Sequence, residues 1–240
     1  MTSTLAIAAR ELSSLFRLPV GWVVIALYAL LTGCVFALVI LIPGQAATMR
    51  LFFAVSGWVL LPVVPAVSMR LLSEEYRAGT IESLLTSPVS DASVVVGKYL
   101  GAFAFLILMF LPTLAHVVIL AALSDPRPDP GPILAGYLSL ALVGALYLAV
   151  GLLVSSLTSN QTLAFLATLF LLLMLVMLGL VPADRLPESA RPLLGVLTIR
   201  TRLDDFAKGV IDTSHIVFFV GASAWFVALS ALTLQSRRWR

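Results

Sequence analysis

Few side chains in this sequence have the type and spacing to do chemistry. Gly97-Lys98 sits where a phosphate-cradling loop could end, but Ala92 stands where that loop needs its first glycine and Tyr99 where it needs serine or threonine. No nucleotide site of that kind is present, so any ATP is expected to be handled by another chain. His116 lies inside an apolar run, where a neutral imidazole is expected to hydrogen-bond a neighbouring helix rather than bind a ligand or carry a proton. His215 and Gly221-Ala222-Ser223 supply the ingredients of a serine–histidine dyad. They fall on one helix, however, whereas the dyad needs facing helices for the imidazole to reach the hydroxyl. Cys34 is the single cysteine and lies in an apolar stretch, which leaves no disulfide framework and no metal-type cysteine cluster. The sequon Asn160-Gln161-Thr162 abuts an apolar run and carries no weight as a glycosylation site. Catalytic, cofactor-binding and metal-binding residues are therefore expected to be absent.

The elements that would position any site are membrane spans. Hydrophobic residues make up 60% and charged residues 11% of 240 positions, with a mean hydropathy of +1.07, which excludes a water-soluble domain of this size. The net charge of +3 comes largely from the chain ends, where Arg237, Arg238 and Arg240 suit anionic headgroups, and nothing points to nucleic acid.

A span needs ~20 apolar residues to cross ~30 Å of hydrocarbon. Six runs qualify: 20–42, 51–69, 99–123, 133–157, 162–181 and 216–234. The fold class is all-α, a polytopic membrane protein with six transmembrane helices in a single domain over 1–240. Ahead of them, 1–19 reads as an amphipathic helix lying flat in the interface, with Leu5, Ala9, Leu12 and Phe16 on one face and Arg10, Ser13, Ser14 and Arg17 on the other. Arg10 and Glu11 interrupt its apolar run, so a retained segment is expected rather than a signal peptide. The second span carries Pro62 and Pro65, which free backbone carbonyls and predict a kink. Residues 124–132, SDPRPDPGP, read as a turn with no room for helix. In the fourth span Ala141, Ala145 and Ala149 recur at four-residue spacing, which admits a neighbouring backbone in the bundle or in a dimer. The loop 182–214 contains an amphipathic stretch: Leu203, Phe206, Ala207 and Val210 form its apolar stripe, and Arg200 with Asp204, and Asp204 with Lys208, are spaced for pairing opposite it.

The main polar interruption is the loop 73–97, within the stretch Met69 to Lys98. Gly79 breaks a helix, Thr80 is a fit N-cap and Glu82 suits the first turn that follows. Pro88 ends that short helix, and Ser90 with Asp91 caps the next. Leu84 and Leu85 stand side by side in polar surroundings, either as a knob for a partner's groove or as a foot on lipid. Arg70 with Glu74, and Glu74 with Arg77, have helical pair spacing. The run Ser68-Met69-Arg70, Glu74-Glu75, Arg77, Gly79-Thr80-Ile81-Glu82, Leu84-Leu85-Thr86, Pro88 and Gly97-Lys98-Tyr99-Leu100 resembles the first cytoplasmic loop of ABC-2 type permeases, most of all the gliding-motility-associated subfamily. Ile199-Arg200, Phe206, Lys208-Gly209-Val210-Ile211-Asp212 and Val217-Phe218-Phe219 resemble the segment before the last span of the same permeases.

The resemblance implies the permease subunit of an ATP-binding cassette transporter, not itself an enzyme, which docks a separate ATPase that binds the ATP. It implies a second permease copy or paralogue, membrane lipid around both, and an exporter in a bacterial cytoplasmic membrane. Thr80, Ile81, Glu82, Leu84, Leu85, Thr86 and Pro88 would form the coupling helix, with Arg70, Glu74, Glu75 and Arg77 bracing the loop. Six spans put both termini on one side. Eight of the 15 basic residues fall on that side and seven on the other, so the cytoplasmic placement of the loop and termini comes from the resemblance and not from charge. Two alternatives have sequence arguments against them. Glu74-Glu75 resembles the paired glutamates of prenyl-protein proteases, but Gly79 replaces the arginine of that pattern, and Pro112 and Ile211 replace the phenylalanine before each histidine. An ion-coupled secondary carrier needs charge at membrane depth, and the spans hold none away from their ends. That absence favours a lipid-like or amphiphilic substrate.

Overall fold

The computed structural model describes residues 3–42, 44, 46–79, 90–181 and 198–238. The expected coupling residues Thr80, Ile81, Glu82, Leu84, Leu85, Thr86 and Pro88 lie outside this set, as do 182–197 of the outer loop. The described residues form only helices and their connections. In chain order these are α1 (Ser3–Arg17), α2 (Pro19–Val35, continued by a π-helical turn Phe36–Ile40), α3 (Arg50–Ser68), α4 (Ser73–Ala78), α5 (Asp91–Phe110), α6 (Leu114–Leu123), α7 (Pro130–Leu157), α8 (Gln161–Leu178), α9 (Ile199–Ala207) and α10 (Thr213–Arg238). Six stretches are long and apolar enough to cross a membrane: Pro19–Ile40, Arg50–Ala78, Asp91–Leu123, Pro130–Leu157, Gln161–Leu178 and Thr213–Ser236.

The second and third of these extend well past their apolar runs, because α4 and the first turns of α5 stay helical beyond the hydrocarbon. Gly79 stops α4 with a left-handed backbone (φ 68°), which favours glycine. The hydroxyl of Ser90 accepts from the amide of Ser93 (3.2 Å) and starts α5. The carbonyl oxygen of Asn160's side chain accepts from the amides of Thr162 (2.9 Å) and Leu163 (3.2 Å), so the sequon is a helix cap. Asp129 caps α7, and helix begins at Pro130, inside the stretch expected to be all turn, since proline suits a first helical position. Pro112 lacks an amide, and a 3-10 turn at Leu111–Thr113 divides α5 from α6. By contrast, α3 runs through both Pro62 and Pro65 as one helix.

The core is built around α7, buried along most of its length against α3, α5, α8, α9 and α10. Close packing comes from three glycines at near-heptad spacing on one face. A Cβ at Gly136 would meet the Phe53 ring at 2.2 Å, at Gly144 Leu106 at 2.8 Å, and at Gly151 the Ser68 hydroxyl at 2.0 Å. Without a hydrophobic drive between helices in lipid, such contacts carry association. The alanine stripe serves the bundle: Ala149 is fully buried, and the Ala145 carbonyl accepts from the Tyr99 hydroxyl at 3.1 Å. His116 departs from expectation. Its ring stacks on Phe36 (centroids 4.6 Å) and meets Phe52 edge-on (5.6 Å), and its buried Nδ1 has no hydrogen-bond partner among the described residues.

Candidate functional site

The site predicted by sequence is the polar end of the bundle, where α4 and the start of α5 frame residues 80–89. The bracing residues divide. Arg70 grips Glu74 with two parallel bonds, from Nε at 2.9 Å and Nη2 at 2.8 Å, the geometry that makes arginine–carboxylate pairs specific. Glu75 turns inward instead, and its carboxylate lies 2.8 Å from Lys98 Nζ. Arg77, expected opposite Glu74, is exposed and lines a shallow hollow with Ser159, Asn160, Gln161 and Thr162.

Lys98 is the centre of this end. Its side chain is 4% exposed, and Nζ also sits 2.9 Å from Glu11 of α1. Arg10 approaches Glu75 at 3.8 Å from the solvent side, so two cations face two carboxylates. A buried ammonium is tolerated only when paired in this way. The cluster ties the second span, the third span and α1 at the two chain ends of segment 80–89.

The seat of α1 explains why Glu11 can reach. Gly97 and Gly101, one turn apart on α5, form a notch: a Cβ at Gly97 would come within 2.8 Å of Ile7 and 2.9 Å of the Thr4 carbonyl. A Cβ at Gly101 would come within 2.7 Å of the Ala8 carbonyl and of Glu11. The face turned to α5 therefore carries Thr4, Ile7, Ala8, Glu11 and the buried Leu15. Leu5 and Ala9, expected on the apolar face of α1, are exposed and take no part in this contact. Phe16 still packs inward, against the Phe105 ring.

A second tie was not anticipated. Ser155, near the end of α7, accepts hydrogen bonds from the amides of Leu72 (3.1 Å) and Ser73 (3.0 Å) and donates to the Met69 carbonyl (3.1 Å). It thus caps α4 from another helix. Ser155→Ala strands two amides of fully buried residues and is expected to cost about 1–3 kcal/mol, read as a lower unfolding temperature in detergent. No periodicity could reveal either tie. The available signals were Glu11, the only acidic residue before Glu74, and the Gly97/Gly101 spacing.

At the opposite end, α9 packs on α7 and α3 through the buried Ile199 and Phe206. His215 Nδ1 lies 3.0 Å from Arg202 Nη1, and its Nε2 lies 3.2 Å from Asp205. Because the guanidinium only donates, Nδ1 accepts and Nε2–H faces Asp205. Both ring nitrogens are thus engaged within this cluster rather than with Ser223. Arg202 lies over the Phe218 ring (4.0 Å to its centre), and burial lowers its pKa against the opposing pull of Asp212. Hydrogen bonds from Ser214, including its amide at 2.8 Å, hold the Asp212 carboxyl below its ordinary pKa. Lys208 pairs with Asp205 at 3.8 Å, not with Asp204 as the spacing suggested.

A family model described as "ABC-2 family transporter protein" matches residues 43–198, well over half of the chain, from the start of the second span to the threshold of α9. No curated protein matches the chain.

Proposed function

The chain belongs to the ABC-2 transporter family as a multi-pass membrane permease subunit, and we propose that it couples ATP hydrolysis by a separate nucleotide-binding subunit to export of an amphiphilic substrate. Residues Thr80 to Pro88 dock the ATPase, with Leu84 and Leu85 as the apolar anchor and Glu82 at the rim. Arg70, Glu74 and Glu75 brace the loop, and Arg77 faces solvent beside the docking surface. The working assembly is two permeases with two ATPases, in a bacterial cytoplasmic membrane with both termini cytoplasmic. Within the family the loop motif is most like the gliding-motility-associated subfamily.

One observation carries this reading. Both ends of segment 80–89 are fixed to the bundle by bonds that cross helices: Ser155 to the start of α4 at one end, and Lys98 of α5 to Glu75 and Glu11 at the other. A displacement of the docked loop therefore reaches α3, α5 and α1 together, because packed interiors transmit strain. A loop resting on lipid has no need of such anchorage.

The test is a detergent pull-down with mass spectrometry, comparing wild type with Leu84→Asp/Leu85→Asp at equal membrane expression. A P-loop ATPase accompanies the wild type and is lost from the variant. Absence of any ATPase from both preparations refutes the docking role and leaves the two leucines as lipid anchors.

A further inference from the structure

At the end of the bundle away from the docking loop, α3, α7, α8 and α9 line an open cavity of about 290 Å³. Trp58 and Leu61 of α3, Tyr147 of α7, Leu180 just past α8, and Leu203 of α9 form its walls, and Asp204 is the charged residue on its lining. The walls suit an apolar body, and the volume suits a small one.

The polar groups here are short of donors. Asp204 is exposed on the lining and makes no ion pair among the described residues: Lys208 lies against Asp205 and Arg202 against His215, and the side chain of Arg200, one turn earlier, lies outside the described set. Pro62 and Pro65 lack the amides that would bond the carbonyls of Trp58 and Leu61 one turn earlier, and both of those residues line the cavity. Tyr147 is 2% exposed, and its hydroxyl makes no hydrogen bond among the described residues. A carboxylate at the edge of an apolar wall attracts a cation, and the aromatic rings of Trp58 and Tyr147 on the same lining add to that attraction. An anion meets Asp204 as a like charge. A neutral molecule leaves it to water and gains nothing from it.

We propose that this cavity binds a monovalent organic cation with an apolar body, an aryl- or alkyl-ammonium. Its ammonium pairs with Asp204, and its body lies against Trp58, Leu61 and Tyr147. That such amphiphilic cations are also what the permease moves rests on the transport reading above. The binding does not, because it needs neither ATP nor a partner.

The full chain in phosphatidylcholine nanodiscs is titrated calorimetrically with 4-phenylbutylammonium, 4-phenylbutanol and 4-phenylbutyrate, with empty nanodiscs subtracted for partitioning. The amine is expected to bind at least ~10-fold more tightly than the alcohol, and the carboxylate not at all. Asp204→Asn removes that preference while leaving the alcohol unchanged, and Asp205→Asn, one residue along the same helix, retains it. The proposal is overturned if the amine binds no better than to empty nanodiscs, if the three probes bind alike, or if the preference survives in Asp204→Asn. A failed ATPase pull-down leaves this titration untouched, and a failed titration leaves the docking test untouched.

Discussion

Lys98→Met destabilises the permease by about 3–5 kcal/mol, the range for removing one partner of a buried ionic cluster. The cost comes from what remains rather than from lost attraction. Glu11 and Glu75 have side chains 14% and 16% exposed, and without the ammonium they face each other as like charges, with Arg10 on the solvent side. The check is the unfolding temperature in detergent, followed by gel-filtration recovery. Rescue separates electrostatics from packing: Lys98→Met combined with Glu11→Gln and Glu75→Gln removes the stranded charges and recovers most of the loss. A Lys98→Met variant as stable as wild type would show that the cluster is solvated and holds nothing.

The second large effect is steric. Gly101→Leu drives a side chain into space already held by the Ala8 carbonyl and Glu11, each within 2.7 Å of even its Cβ, so α1 must leave its seat. Gly97→Leu acts likewise against Ile7 and Thr4. Overpacking of a close contact costs typically about 1–3 kcal/mol where the structure can shift, and the outcome here is undocking rather than unfolding. Brief trypsin treatment reads it, because Arg10 and Arg17 on α1 become cleavable once the helix detaches. Since undocking also withdraws Glu11 from Lys98, Gly101→Leu and Lys98→Met combine to less than the sum of their separate effects. Equal trypsin resistance in wild type and Gly101→Leu would contradict the notch.

The class of fold was legible because the bilayer imposes it. Six long apolar runs can only be spanning helices, and Gly79, Ser90 and Asn160 mark helix ends through their own backbone or cap chemistry. What escaped the sequence are partners far apart along the chain. Lys98 meets Glu11 across 87 positions and Ser155 meets Leu72 across 83, and periodicity reports a helix's own faces but not what covers them. The same limit explains α1, since an amphipathic helix suits a lipid surface or a crevice between helices equally well. Gly97 and Gly101 stand one helical turn apart, and that spacing marks a packing notch only once the helix that fills it, α1, is known. His116 was expected to seek a hydrogen bond, whereas two phenylalanines from other helices supply its surroundings.

The central claim is that the segment between α4 and α5 is the surface on which an ATPase acts. Its most direct test places a photo-cross-linking benzoyl-phenylalanine at position 85 in native membranes, with position 123, at the far end of the third span, as the control. Irradiation at 85 joins the permease to a protein carrying a phosphate-binding loop, and irradiation at 123 does not. Adducts with lipid alone at position 85, or the same ATPase captured from position 123, would contradict the account.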